Sequence, residues 1–174
     1  MVESEPVKLE LATPETRELL ASLLDLYMQE LSNIFSIQAG ADGRFRYAKL
    51  PLYWAEPGRF PFFIYSGAQP AGFALATRGS PVTDDPEVFD VAEFFVRGAQ
   101  RRVGVGRRAA FLLWNRLPGR WVVRVSEANA PGLSFWSTIV KQYTGGAFLQ
   151  DKRFVGSHTW HVFTFASRGL GEAV

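Results

Sequence analysis

The stretch from Val96 to Ala110, VRGAQRRVGVGRRAA, restricts what this chain can fold into more than any other. It follows the apolar run Val91 to Phe95, so the pattern predicts a strand ending at Val96, then a basic loop, then a helix opening at the glycines. The first turn of a helix leaves N–H groups without intrahelical acceptors, and the helix dipole puts partial positive charge at the same point. Phosphate binds readily to such a turn. Gly104 and Gly106 carry no Cβ to hold a ligand off the backbone, and Arg101, Arg102, Arg107 and Arg108 surround the turn with positive charge.

Around this turn the chain alternates between two periods. Val7, Leu9 and Leu11 alternate with polar residues and predict a strand; Thr13-Pro14 then reads as a helix start, with Thr13 as N-cap and Pro14 in the first helical position. Leu19, Leu20, Leu23, Tyr27 and Leu31 recur at helical spacing, so a helix to about Ser32 packs one face on a core, with Tyr27 read as packing. Between Asn33 and Arg59 the pattern is irregular and broken by Gly40, Asp42-Gly43, Pro51 and Pro57. Phe60 to Tyr65 and Ala71 to Thr77 read as a hairpin, and Val88 to Val96 as the strand entering the basic loop. Helices at Val105 to Leu117 and Pro131 to Gln142 flank a strand at Trp121 to Val125, and strands near Phe148 to Phe154 and Thr159 to Phe165 close the chain.

Composition excludes several classes. A chain of 174 residues, 47% hydrophobic and 21% charged, is expected to form one domain, 1–174, around a packed core. Its net charge of +2 is too small for a nucleic-acid face, so the basic character is local. With no cysteine, disulfide frameworks and thiolate metal sites are excluded, and His158 and His161 lack partners for a metal site or a hydrolytic triad. His161 and Trp160 stand on the last strand as possible walls of a pocket. No run approaches the ~20 apolar residues of a membrane span, and MVESEPVKLE lacks the pattern of a secretory signal, so the cytoplasm is the expected location.

The segment Arg101-Arg102-Val103-Gly104-Val105-Gly106 resembles the acyl-CoA signature [QR]-x-x-G-x-[GA] of the GNAT superfamily of N-acetyltransferases. The strand before it, the helix after it, and the later WVVRV strand followed by the Asn-led run NAPGLSFW match the same family, over Phe60 to Phe165. The resemblance implies an α/β (α+β) domain with a mixed, mostly antiparallel, centrally splayed sheet and flanking helices. It also implies acetyl-CoA as co-substrate and no metal. Backbone groups near Val96 would hold the pantetheine, and Val103 to Arg108 the pyrophosphate, with Arg101 and Arg102 beside it. Asn129 would contact the cofactor and Trp136 would wall the pantetheine. An acetyl group would pass by direct attack to a primary amine, small or peptidic, with no nucleic acid or membrane involved; either a monomer or a homodimer fits.

Catalytic assignments follow the same resemblance. GNAT enzymes often carry a general-base Glu on the strand before the signature, and Glu93 is the acid inside that apolar stretch; pairing with Arg124 or a wet face is the plainer reading. Family members commonly place a Tyr in the helix after the Asn to protonate the leaving thiolate, but Phe135 and Trp136 stand there, which leaves Tyr143 at the helix end, where a packed or capping residue is the plainer reading. The region between first helix and second strand implies an acceptor wall at Tyr47, Tyr53 and Trp54; a surface connection covering a core edge is the other reading. Two further alternatives are a non-catalytic acyl-CoA-binding regulator and a dinucleotide-binding module. The second rests on Gly104-Val105-Gly106-Arg107-Arg108-Ala109, which satisfies G-x-G-x-x-[GA], with Glu127 after the next strand.

Overall fold

The strands are β1 (Val7–Leu11), β2 (Arg59–Ser66), β3 (Gln69–Arg78), β4 (Phe89–Val96), β5 (Gly119–Ser126), β6 (Leu149–Val155) and β7 (His158–Ser167). The helices are α1 (Arg17–Leu31), α2 (Leu52–Ala55), α3 (Val105–Arg116) and α4 (Ala130–Thr144). In the computed structural model, which describes residues 5–169, the seven strands make one sheet in the order β1-β2-β3-β4-β5-β7-β6. Every neighbouring pair is antiparallel except β4 and β5, which are parallel. Among the described residues no helix is long and apolar enough to cross a membrane.

The parallel pair is the break in the sheet. β4 and β5 are in register only at Phe89 with Trp121 and Asp90 with Val122, after which the two strands part toward their C-terminal ends. A β-bulge on β4 accompanies the parting, since Val91 lies opposite Ala76 and Glu93 opposite Leu75, leaving Ala92 unopposed. Without the extra residue, Asp90 and Glu93 would face opposite sides of the sheet; with it, both share the face of Thr77 and Leu75.

Two large cores sandwich the sheet, beside a small cluster of Val88, Val122 and Val162. On one face, Leu20, Leu23 and Leu24 of α1 pack on Phe63, Phe73, Leu75 and Phe95. On the other, Val105, Leu113 and Trp114 of α3 and Ile139 and Val140 of α4 pack on Phe62, Ala74, Val91, Trp121 and Phe163. The alternation of apolar residues along β2 to β5 divides between these layers, as period-two patterning requires.

Three details refine the sequence expectation. A short 3-10 turn, Pro14–Thr16, precedes α1; Thr13 is its N-cap and Pro14 its first residue, as expected, and the Thr16 hydroxyl accepts the Thr13 N–H at 3.0 Å. The β2–β3 hairpin closes through Gly67 and Ala68 alone, because both strands extend to Ser66 and Gln69. The irregular segment before β2 is tied down: Asp25 of α1 accepts the Phe45 N–H at 2.7 Å, the Trp54 indole N–H donates to the Ala12 carbonyl at 3.0 Å, and Leu50 and Tyr53 are buried in the α1-side core.

Candidate active site

Where β4 and β5 part, the sheet opens into a cavity of about 1310 Å³. One end is formed by the basic turn. Arg102 (φ 67°) and Gly104 (φ 82°) adopt left-handed backbone and turn the chain into α3. For Arg102 this conformation is uncommon and mildly strained. The first intrahelical bond of α3 runs from the Arg108 N–H to the Gly104 carbonyl at 3.1 Å, so the N–H groups of Val105, Gly106 and Arg107 lack intrahelical acceptors. Gly106 is needed for packing as much as for access, because a Cβ there would lie 3.1 Å from the Phe135 ring of α4.

The arginines divide in role. Arg102 and Arg107 line the cavity, Arg107 with its guanidinium 5.7 Å from the centre of the Phe111 ring. Arg101 also lines it but is held as a brace, donating to the Val96 carbonyl and to Glu30, each at 2.6 Å. Arg108 folds back over its own turn and donates to the carbonyls of Gly104, Val103 and Glu5, away from the cavity. The side chain of Val103 is 61% exposed and outside the cavity, while that of Val105 is buried in the core. Across the gap, Asn129 caps α4 by accepting the Gly132 N–H at 3.1 Å, and Trp136 packs edge-on against Phe94 of β4 at 5.0 Å. Both line the cavity.

At the far end the bulge delivers Glu93. Its carboxylate accepts the Tyr27 hydroxyl at 2.6 Å, and Tyr47 and Tyr53 stand on the same wall. Burial pushes the Glu93 pKa above the usual carboxylate range, opposed by the Tyr27 and Tyr47 hydroxyls and by the charges of Arg124 and Lys49. Burial likewise raises the three phenols, Tyr53 up to about 12. Arg124 does not pair with Glu93. It makes a two-pronged bond to Asp90, 2.8 Å on each arm, and Ser80 donates to the same carboxylate at 2.6 Å. Asp90, entirely buried, is therefore a strut between β4 and β5.

Other expected positions lie elsewhere. Tyr143 donates to Asn115 at 2.7 Å and packs on Trp114 and Phe111, outside the cavity, so its hydroxyl is committed to the α3–α4 interface. Trp54 is anchored to Ala12 and does not line the cavity. His161 is buried against Gln150 and Glu127, whereas Trp160 and His158 do line the cavity with Phe35, whose ring lies parallel to that of Trp160. Tyr27, read from sequence as packing, does pack on Phe73, yet its hydroxyl meets Glu93. No sequence signal separates that role from its place on the apolar stripe.

The dinucleotide reading is overturned by the sheet. Its fingerprint belongs to a parallel doubly wound fold. Here β4 and β5 form the one parallel pair, and Glu127 is engaged by His161 and Lys152.

No family model and no curated protein matches this chain in sequence. Solved structures do match. An acetyltransferase from Thermus thermophilus is 21% identical, with 90% of this chain and 95% of that one covered and a TM-score of 0.66. Aminoglycoside acetyltransferase AAC(6')-Ib, in complex with paromomycin and acetyl-CoA, is 14% identical, with coverages of 93% and 94% and a TM-score of 0.69. A candidate GNAT-family acetyltransferase from Desulfovibrio desulfuricans, 13% identical, covers 94% of this chain and all of its own length at a TM-score of 0.63. Over these coverages and at these TM-scores, the chain has the fold of the GNAT superfamily.

Proposed function

We propose that the protein transfers an acetyl group from acetyl-CoA to a primary amine. The observation that carries this reading is the cavity at the β4–β5 parting, which joins a turn of N–H groups without intrahelical acceptors to a half-buried carboxylate. The residues present suit acetyl-CoA. The Val105, Gly106 and Arg107 N–H groups, with the Arg102 and Arg107 side chains, would take the pyrophosphate. The parted edge of β4 and the Trp136 ring would flank the pantetheine, with Asn129 at the start of α4 beside it. Acetyl-CoA supplies a thioester, whose C–S bond is exchanged for an amide C–N bond with release of the CoA thiol.

Glu93 is the base in this reading. Held by Tyr27 on a wall of phenols, it receives a proton from an incoming ammonium and exposes the nitrogen lone pair. Its raised pKa brings it closer to that of the amine and so improves the match for proton transfer. On α4, Phe135 and Trp136 carry no acidic hydroxyl, and Tyr143 is committed to Asn115, so the leaving thiolate takes the proton that the amine sheds on attack. Positioning and exclusion of water then supply most of the acceleration.

Calorimetric titration of acetyl-CoA into wild type and Gly104→Glu tests the cofactor half. The left-handed backbone at Gly104 resists any side chain, and the added charge repels phosphate at the turn. Acetyl-CoA binding that disappears in the variant is the expected result, and no binding to wild type would sink the proposal. Thiol release that needs an added amine separates a transferase from a non-catalytic acyl-CoA-binding regulator.

A further inference from the structure

In the half of the cavity around Glu93, charge is almost wholly cancelled in pairs. Glu30 is bonded to Arg101 at 2.6 Å, Glu56 to Arg59 at 2.7 Å, Asp90 to Arg124 at 2.8 Å, and Arg78 to Glu87 at 2.5 Å. Apart from Arg102 and Arg107 at the α3 turn, two charged groups of the lining have no ion-pair partner among the described residues: the carboxylate of Glu93 and the ammonium of Lys49. Tyr53 also lines the cavity but is only 4% exposed, with its hydroxyl turned in beside Tyr47 and Arg59.

This balance disfavours a polycation. An acceptor with several ammonium groups, like the aminoglycosides seen with the structural relative, needs several unpaired carboxylates, whereas this wall offers one carboxylate and one ammonium. We propose that the acceptor is a small amino carboxylate, its ammonium drawn to Glu93 and its carboxylate met by Lys49. The proposal rests on the transfer reading above. In the reaction the ammonium loses two protons. The first passes to Glu93 before attack and returns from there to solvent; the second is shed as the C–N bond forms and leaves with the CoA thiol.

The test is thiol release with acetyl-CoA and a panel of α-amino acids, each beside its own amide, with kanamycin as the polycation; acetyl-CoA binding is measured separately by calorimetry. Wild type is expected to prefer some acid over its amide by about tenfold or more in kcat/KM, the scale of one charge-assisted hydrogen bond. Lys49→Glu is expected to erase or invert that ratio while acetyl-CoA affinity stays within about twofold. A faster rate with the amide or kanamycin, or an acid-to-amide ratio unmoved by Lys49→Glu, overturns the proposal. So does acetyl-CoA binding with neither turnover nor calorimetric binding of any amino acid, an outcome that leaves the cofactor reading standing. Absence of acetyl-CoA binding would instead remove the transfer reading itself.

Discussion

Glu93 shows how one residue can be costly to the fold and useful to the site. Its pKa is raised, so the folded state favours the protonated acid. The sign of the linkage follows: Glu93 costs nothing below the ordinary carboxylate value, and its penalty grows as pH rises through the elevated folded value. Glu93→Gln, which keeps an oxygen to accept the Tyr27 hydroxyl, is therefore expected to melt above wild type at about pH 8 and to converge with it at about pH 4. Calorimetric melting across that range checks this. The same variant is expected to lose about 100-fold or more in amine-dependent thiol release, together with the limb of the rate profile that rises with pH as Glu93 ionises. A variant that melts higher yet keeps full activity would show a carboxylate buried for some purpose other than proton transfer.

At the scale of elements, α4 depends on its first residue contact. Asn129 accepts the Gly132 N–H and so satisfies one of the unpaired donors at the helix start, on the cavity lining it shares with Phe135 and Trp136. Asn129→Ala is expected to cost about 1 kcal/mol, or a fall of about 2–4 °C in thermal midpoint for a chain of this size. It should also weaken acetyl-CoA binding, because the fraying turn carries the cavity wall toward Phe135 and Trp136. The turn before α3 obeys a different logic. Arg101 and Arg108 spend their donors on nearby carbonyls and Glu30, so two of its four arginines shape the loop, and Arg102 and Arg107 remain at the cavity.

For the molecule as a whole, the parted sheet is the feature that makes a site, and Asp90 with Arg124 holds it together. The pair bridges β4 and β5 where their backbone pairing stops. Removing one partner of a buried pair leaves an uncompensated charge, and Asp90 would then keep only the Ser80 hydroxyl. Arg124→Met is expected to cost about 3 kcal/mol in denaturant unfolding, and Asp90→Leu/Arg124→Met to recover most of it. If the single variant were neutral, the bridge would have no part in holding the two halves of the sheet.

Local chemistry was legible in the sequence because it is local. The strand, loop and helix at Val96 to Ala110 follow from a period change and two glycines, the Asn129 cap from residue type and position, and the splayed mixed sheet from the resemblance carried by Arg101 to Gly106. Partners far apart in the chain were not legible. Period-two counting puts Asp90 and Glu93 on opposite faces, and only the bulge at Ala92 brings them to one. Arg124 lies 34 residues from Asp90 and Tyr27 lies 66 from Glu93, so which acid each would meet depended on the packing of β5 and α1 against β4. Tyr143 and Trp54 stayed open between site and packing for the same reason: composition marks a hydroxyl or an indole as available, but whether it faces a cavity or a neighbouring helix is decided by tertiary packing.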